Sequence, residues 1–127
     1  AHPQLESLSL GKSQLFNIQA LCRLNHLQWF TAPVSYPQGP IRFSDDCAAP
    51  IKMLGFETAR LDDLEVANLS SLIELHLVNA IIHGLSIDGT SLPELEYINL
   101  RDAELPDDLS DVHFPEDLVQ LNLAEVI

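Results

Sequence analysis

Apolar residues recur at a fixed period through the second half of this chain, and that period decides what it can fold into. Leu72, Leu75, Leu77 and Ala80 are followed 23 residues later by Leu95, Ile98, Leu100 and Ala103. After another 23 come Leu118, Leu121, Leu123 and Val126. A period of this length marks stacked units, each too small to bury its own apolar face. The pattern continues upstream with looser steps. Ile51, Leu54, Phe56, Ala59 and Leu61 fit 21 residues earlier, and Leu24, Leu27, Trp29, Ala32 and Val34 fit 27 before that. Leu5, Leu8, Leu10, Ser13 and Leu15 fit 19 earlier again.

Inside each unit the two residues of the LxL pair are two apart, so both point to one face of a short strand. Strands related by a repeat run parallel, and parallel strands need a crossover of about a dozen or more residues. The spacing predicts strands near 7–11, 26–30, 53–57, 74–78, 97–101 and 120–124. The crossovers carry scattered apolar residues such as Leu85, Ile87 and Leu92, with Gly84, Gly89, Pro93, Pro106 and Pro115 as breakers. Short helical or 3₁₀ turns are expected there.

The stretch Leu72-Ile73-Glu74-Leu75-His76-Leu77-Val78-Asn79-Ala80-Ile81-Ile82 reads LxxLxLxxAxL and resembles a leucine-rich repeat. The resemblance covers most of the chain. It implies an α/β solenoid: a leucine-rich repeat arc with a parallel concave sheet and a convex side of loops and short helices. Residues 1–127 then form a single domain of about six repeats. Asn or Cys often follows LxL in that family, whereas this column reads Ser13, Ala32, Ala59, Ala80, Ala103 and Val126. Without side-chain amides a less regular turn ladder is expected. Residues 33–50 hold Pro33, Pro37, Gly39, Pro40 and Pro50 and read as a long loop replacing one convex segment.

Charge narrows the partners. Nineteen acids against six bases leave −13 at neutral pH. Residues 61–127 hold fifteen of the acids and, of the bases, Arg101 alone. Such a field opposes nucleic-acid backbones and anionic membrane surfaces. No uninterrupted apolar run approaches the roughly 18 residues of a membrane span. Hydrophobic residues are 46% of the chain, too many for a disordered acidic tail. Cys22 and Cys47 have no CxxC partner, which excludes the usual zinc and thioredoxin spacings. Two buried free thiols are favoured over a single bridge.

Catalytic signatures are missing. Gly11-Lys12-Ser13 lacks the glycine five residues earlier that a phosphate-binding loop needs, since position 6 is Glu. There is no GxSxG, and His2, His26, His76, His83 and His113 show no HExxH spacing. Adjacent acids such as Asp107-Asp108 make no EF-hand loop. No enzyme activity, cofactor or metal is expected. Asn68-Leu69-Ser70 is a glycosylation sequon.

Alternation places the residues flanking each LxL pair outward on the sheet. His26, Gln28, Phe30, Glu74, His76, Tyr97, Asn99, Arg101, Gln120 and Asn122 are therefore expected on the concave face as the partner-binding set. Tyr97 and Arg101, four apart, are expected to share that face, with Phe30 in the Arg101 column. The resemblance implies a protein–protein recognition module that takes a protein or peptide ligand. The alternatives are a non-catalytic targeting segment of a larger leucine-rich repeat kinase or ubiquitin ligase, or an architectural spacer. No leader pattern stands at Ala1, and the chain stops mid-repeat. It is expected to belong to a longer protein, with further repeats or a cap beyond Ile127.

Overall fold

A computed structural model describes residues 4–10, 18–32 and 40–123. In chain order its strands are β1 (Ser7–Ser9), β2 (Trp29–Thr31), β3 (Pro40–Arg42), β4 (Met53–Gly55), β5 (Arg60–Leu61), β6 (Asp63–Val66), β7 (Glu74–His76), β8 (Ile81–Ile82), β9 (Leu85–Asp88), β10 (Tyr97–Asn99), β11 (Val112–His113) and β12 (Gln120–Asn122). One parallel sheet has six strands in the order β1-β2-β4-β7-β10-β12. A second has four in the order β11-β9-β6-β3, and β5 pairs with β8 between them in sequence. The chain is a parallel β-solenoid of about four turns.

The second sheet corrects the expected α/β arc. Among the described residues, helix is limited to α1 (Ile18–Leu21) and a 3₁₀ turn at Gly89–Ser91. Leu64 and Val66, like Leu85 and Ile87, are two apart, and all four are buried. That is strand periodicity, in segments too short for a helix to bury a face. The long-loop expectation is corrected as well: residues 40–42 form the edge strand β3, which pairs with β6. Arg42 fixes this register from outside, reaching Asp63 and Glu65 at 3.2 Å each. Residues 33–39 lie outside the described set, as do Gly11-Lys12-Ser13 and Val126.

The core lies between the sheets and is wholly apolar among the described residues. Phe30, Leu54, Leu75 and Ile98 stand in register through the six-stranded sheet, each at most 1% exposed. Leu77 and Leu100 follow them inward and are also buried. Leu123 holds the same place in the 23-residue spacing but is 50% exposed. It follows the edge strand β12, and no described strand pairs beyond it.

The turn ladder is regular over three successive units without side-chain amides in the expected column. Thr58, Asn79 and Asp102 take positive φ of 54°, 60° and 58°. Each precedes a buried alanine: Ala59, Ala80 and Ala103. The left-handed residue reverses the chain, and the small alanine lets successive turns stack closely. Backbone bonds then link the layers: Ile81 N–H donates to the Ala59 carbonyl at 2.7 Å, and Glu104 N–H to Ala80 at 2.8 Å.

Cys22 and Cys47 form a disulfide, which corrects the reading of two free thiols. The crossover brings their backbones together, as Ala48 N–H donates to the Cys22 carbonyl at 2.9 Å. No spacing rule for two cysteines 25 apart could have revealed that proximity. Among the described residues, no helix is long and apolar enough to cross a membrane.

Candidate functional site

The middle residue of each strand in the six-stranded sheet faces the core, so its two neighbours face outward. Register assembles two outward rows. The first is Ser7, Trp29, Met53, Glu74, Tyr97 and Gln120; the second is Ser9, Thr31, Gly55, His76, Asn99 and Asn122. Glu74, His76, Tyr97, Asn99, Gln120 and Asn122 thus fall in these rows.

Phe30 does not. It is 1% exposed in the Leu54 column and meets Phe56 edge-on at 6.2 Å between ring centroids. His26 and Gln28 precede β2 rather than lying on it, and Gln28 Nε2 donates to Glu6 Oε1 at 3.4 Å. The cause is a three-residue slip in the second unit. Leu24-x-x-Leu27-x-Trp29 imitates the leucine motif better than Leu27-x-x-Phe30-x-Ala32, which is the segment that actually packs. With Phe30 as the core residue, the steps from Leu8 to Phe30 to Leu54 become 22 and 24 in place of 19 and 27. That evenness was the signal available in the sequence.

The slip hid Trp29. It is the single tryptophan of the chain and stands 42% exposed beside Met53. Met53 pairs in turn with Glu74, and Glu74 with Tyr97. Glu74 Oε1 lies 3.1 Å from His76 Nε2, and the His76 ring meets Tyr97 at 5.4 Å and 64°. Imidazole thereby ties the carboxylate of one strand to the phenol ring of the next. Gly55 leaves the second row low between Thr31 and His76. A Cβ there would stand 3.1 Å from Thr31 Cγ2. At the N-terminal end of the row, the Thr31 hydroxyl donates to Ser9 Oγ at 3.1 Å.

Arg101 departs from its expected place. The strand ends at Asn99, and Arg101 lies in the following turn. Its N–H donates to Asn99 Oδ1 at 3.1 Å, and its guanidinium leans toward Asp102 at 3.7 Å. A four-residue spacing implies one face only while the strand continues, and here it has stopped.

No family model, curated protein or solved structure matches this chain. The chemistry of the site therefore rests on its own residues. Among the described residues, no three His, Cys, Asp or Glu side chains gather as a metal site. One cavity of about 550 Å³ lies by the disulfide, lined by Cys22, Arg23, Asn25, Ser44, Asp46 and Ala48. Another of about 320 Å³ separates the 3₁₀ turn from Phe114 and Pro115. Neither is lined by a residue of the outward rows.

Two carboxyls are held below their ordinary range. Asp88 is lowered mainly by the Thr90 hydroxyl, which donates to Oδ1 at 2.6 Å. Further help comes from the Thr90 N–H, from Ser91 and from the charge of His113. Asp108 is lowered chiefly by the Ser110 N–H at 2.9 Å. Both are turn-capping groups outside the two rows.

Proposed function

We propose that the outer face of the six-stranded sheet recognises a protein or peptide, and that the chain is a leucine-rich-repeat-like binding module. One observation carries this reading: Trp29 stands 42% exposed in strand register with Met53, Glu74 and Tyr97. A large aromatic side chain on a pleated surface presents apolar area at low rotamer cost. Trp, Tyr and Met are enriched at the centres of interfaces. The surrounding hydroxyls, amides and imidazole supply the hydrogen-bonding rim that such an interface needs. The Cys22–Cys47 bridge supports an oxidising compartment as the place where this module works.

The test is site-specific crosslinking followed by binding measurements. A photoreactive residue at position 29 should capture the partner, whereas one at Ser86 on the four-stranded sheet should not. Trp29→Ala and Tyr97→Ala should each weaken binding of that partner by at least about 1 kcal/mol. Their melting temperatures should stay near that of the parent. Capture from position 86 with no capture from position 29 would move the binding surface to the other sheet.

A further inference from the structure

The partner of the proposed recognition face, on which this inference rests, is narrowed further by charge. We propose that the face takes a cationic segment, seating a Lys or Arg side chain on Glu74 between Met53 and Tyr97, with Trp29 packing the aliphatic part of the segment.

The outward rows contain one carboxylate, Glu74, and no lysine or arginine. That side chain is 48% exposed, with His76 against one of its oxygens. Met53 and Tyr97 sit in register on either side of it, each about 4.8 Å away by strand spacing. Trp29 lies one strand further, at about 10 Å. A carboxylate beside a phenol ring suits an ammonium or guanidinium, because charge and ring quadrupole attract it together. A Lys or Arg stem is shorter than the distance from Glu74 to Trp29, so with the charged head on Glu74 the stem lies over Met53 and Trp29 packs the neighbouring apolar part of the segment.

The part of the chain from residue 61 onward reinforces this sign. The whole chain carries −13, and residues 61–127 hold fifteen acids against Arg101. Arg101 points its guanidinium toward Asp102 from the turn, so it does not offset Glu74 on the strand. A field of this sign speeds the approach of a basic partner and slows an acidic one. His76, two residues along the same strand, contacts one oxygen of the Glu74 carboxylate at 3.1 Å. The same field repels phosphate groups, which favours a basic peptide over nucleic acid.

Trp29 is also the reporter, since its emission is the only tryptophan signal in the chain. The full chain should be titrated with a short peptide alternating Lys and Ser, and separately with Glu–Ser and Val–Ser peptides of equal length. The Lys–Ser peptide should shift Trp29 emission saturably, and Glu74→Gln should weaken it at least about tenfold. Asp107→Asn, which removes the same charge from an exposed turn outside the rows, should change it by less than about threefold. Equal losses in the two variants would reduce the effect to bulk charge and overturn the proposal. A saturable response to the Val–Ser or Glu–Ser peptide in place of the Lys–Ser one would overturn the cationic partner and leave the recognition face standing. Binding of the Lys–Ser peptide with no emission change, and with no effect of Tyr97→Ala, would remove both.

Discussion

The side-chain amide of Asn68 donates to the carbonyl of Phe43, 25 residues earlier, at 2.9 Å. Its own backbone N–H donates to Ser91 Oγ, 23 residues later, also at 2.9 Å. One asparagine therefore ties three successive layers together, from a left-handed backbone at φ 65°. Asn is among the few residues that accept that conformation readily. Asn68→Ala should lower stability by about 1–3 kcal/mol, measured by urea denaturation. The same contact bears on the sequon. A glycan on Nδ2 would occupy a half-buried group already committed to Phe43. Folded protein recovered from a secretory host should lack a glycan at Asn68 by mass spectrometry. Fully glycosylated protein of unchanged stability would contradict this account.

Leu100 and Leu123 occupy equivalent places in successive units, but only Leu100 is covered: it is 2% exposed against 50%. Leu100→Ala should cost about 2–5 kcal/mol, because it removes buried contacts and leaves a cavity. Leu123→Ala should cost less than about 1 kcal/mol, since half of that side chain is already in water. Equal costs in a denaturation series would show that the two positions pack alike.

The Cys22–Cys47 bridge closes a segment spanning 25 residues. Confining the unfolded chain by a loop of this length stabilises the fold by about 3 kcal/mol. A Cys22→Ser, Cys47→Ser double variant should lose roughly that amount in equilibrium unfolding. The strands at the other end of the solenoid should keep their hydrogen-exchange protection, because repeat arrays fail locally. Uniform loss of protection from β1 to β12 would indicate a single cooperative unit.

Asp88 gives stability an acid limb. Its carboxylate caps the 3₁₀ turn through the Thr90 hydroxyl and N–H, and these contacts hold its folded pKa below the ordinary carboxylate value. A depressed folded pKa means that the unfolded chain takes up the proton first as pH falls. The contribution is therefore full above the ordinary carboxylate range and is lost as pH drops through the depressed folded value. Asp88→Asn should flatten the fall of the melting temperature over that acid window. An unchanged acid slope would assign the limb to other carboxylates.

The steps of 21 and 23 residues in the later units were enough, from sequence alone, to require parallel strands in a stack. A chain with LxL pairs repeating at that interval has no other way to bury them. Glu74, His76, Tyr97 and Asn99 could be placed on their strands because leucine or isoleucine marks the core positions beside them. Three features depended on packing that no local pattern carries. Trp29 and Phe30 exchanged roles because the core needs apolar volume rather than leucine, and Phe30 fills the Leu54 column as well as leucine would. Leu64, Val66, Leu85 and Ile87 became a second sheet because neighbouring turns offered them strand partners; in isolation such short segments favour neither state. Cys22 met Cys47 because the chain after β3 returns to Cys22, where Ala48 N–H reaches the Cys22 carbonyl, and contact across 25 residues is a property of the path of the chain rather than of its composition.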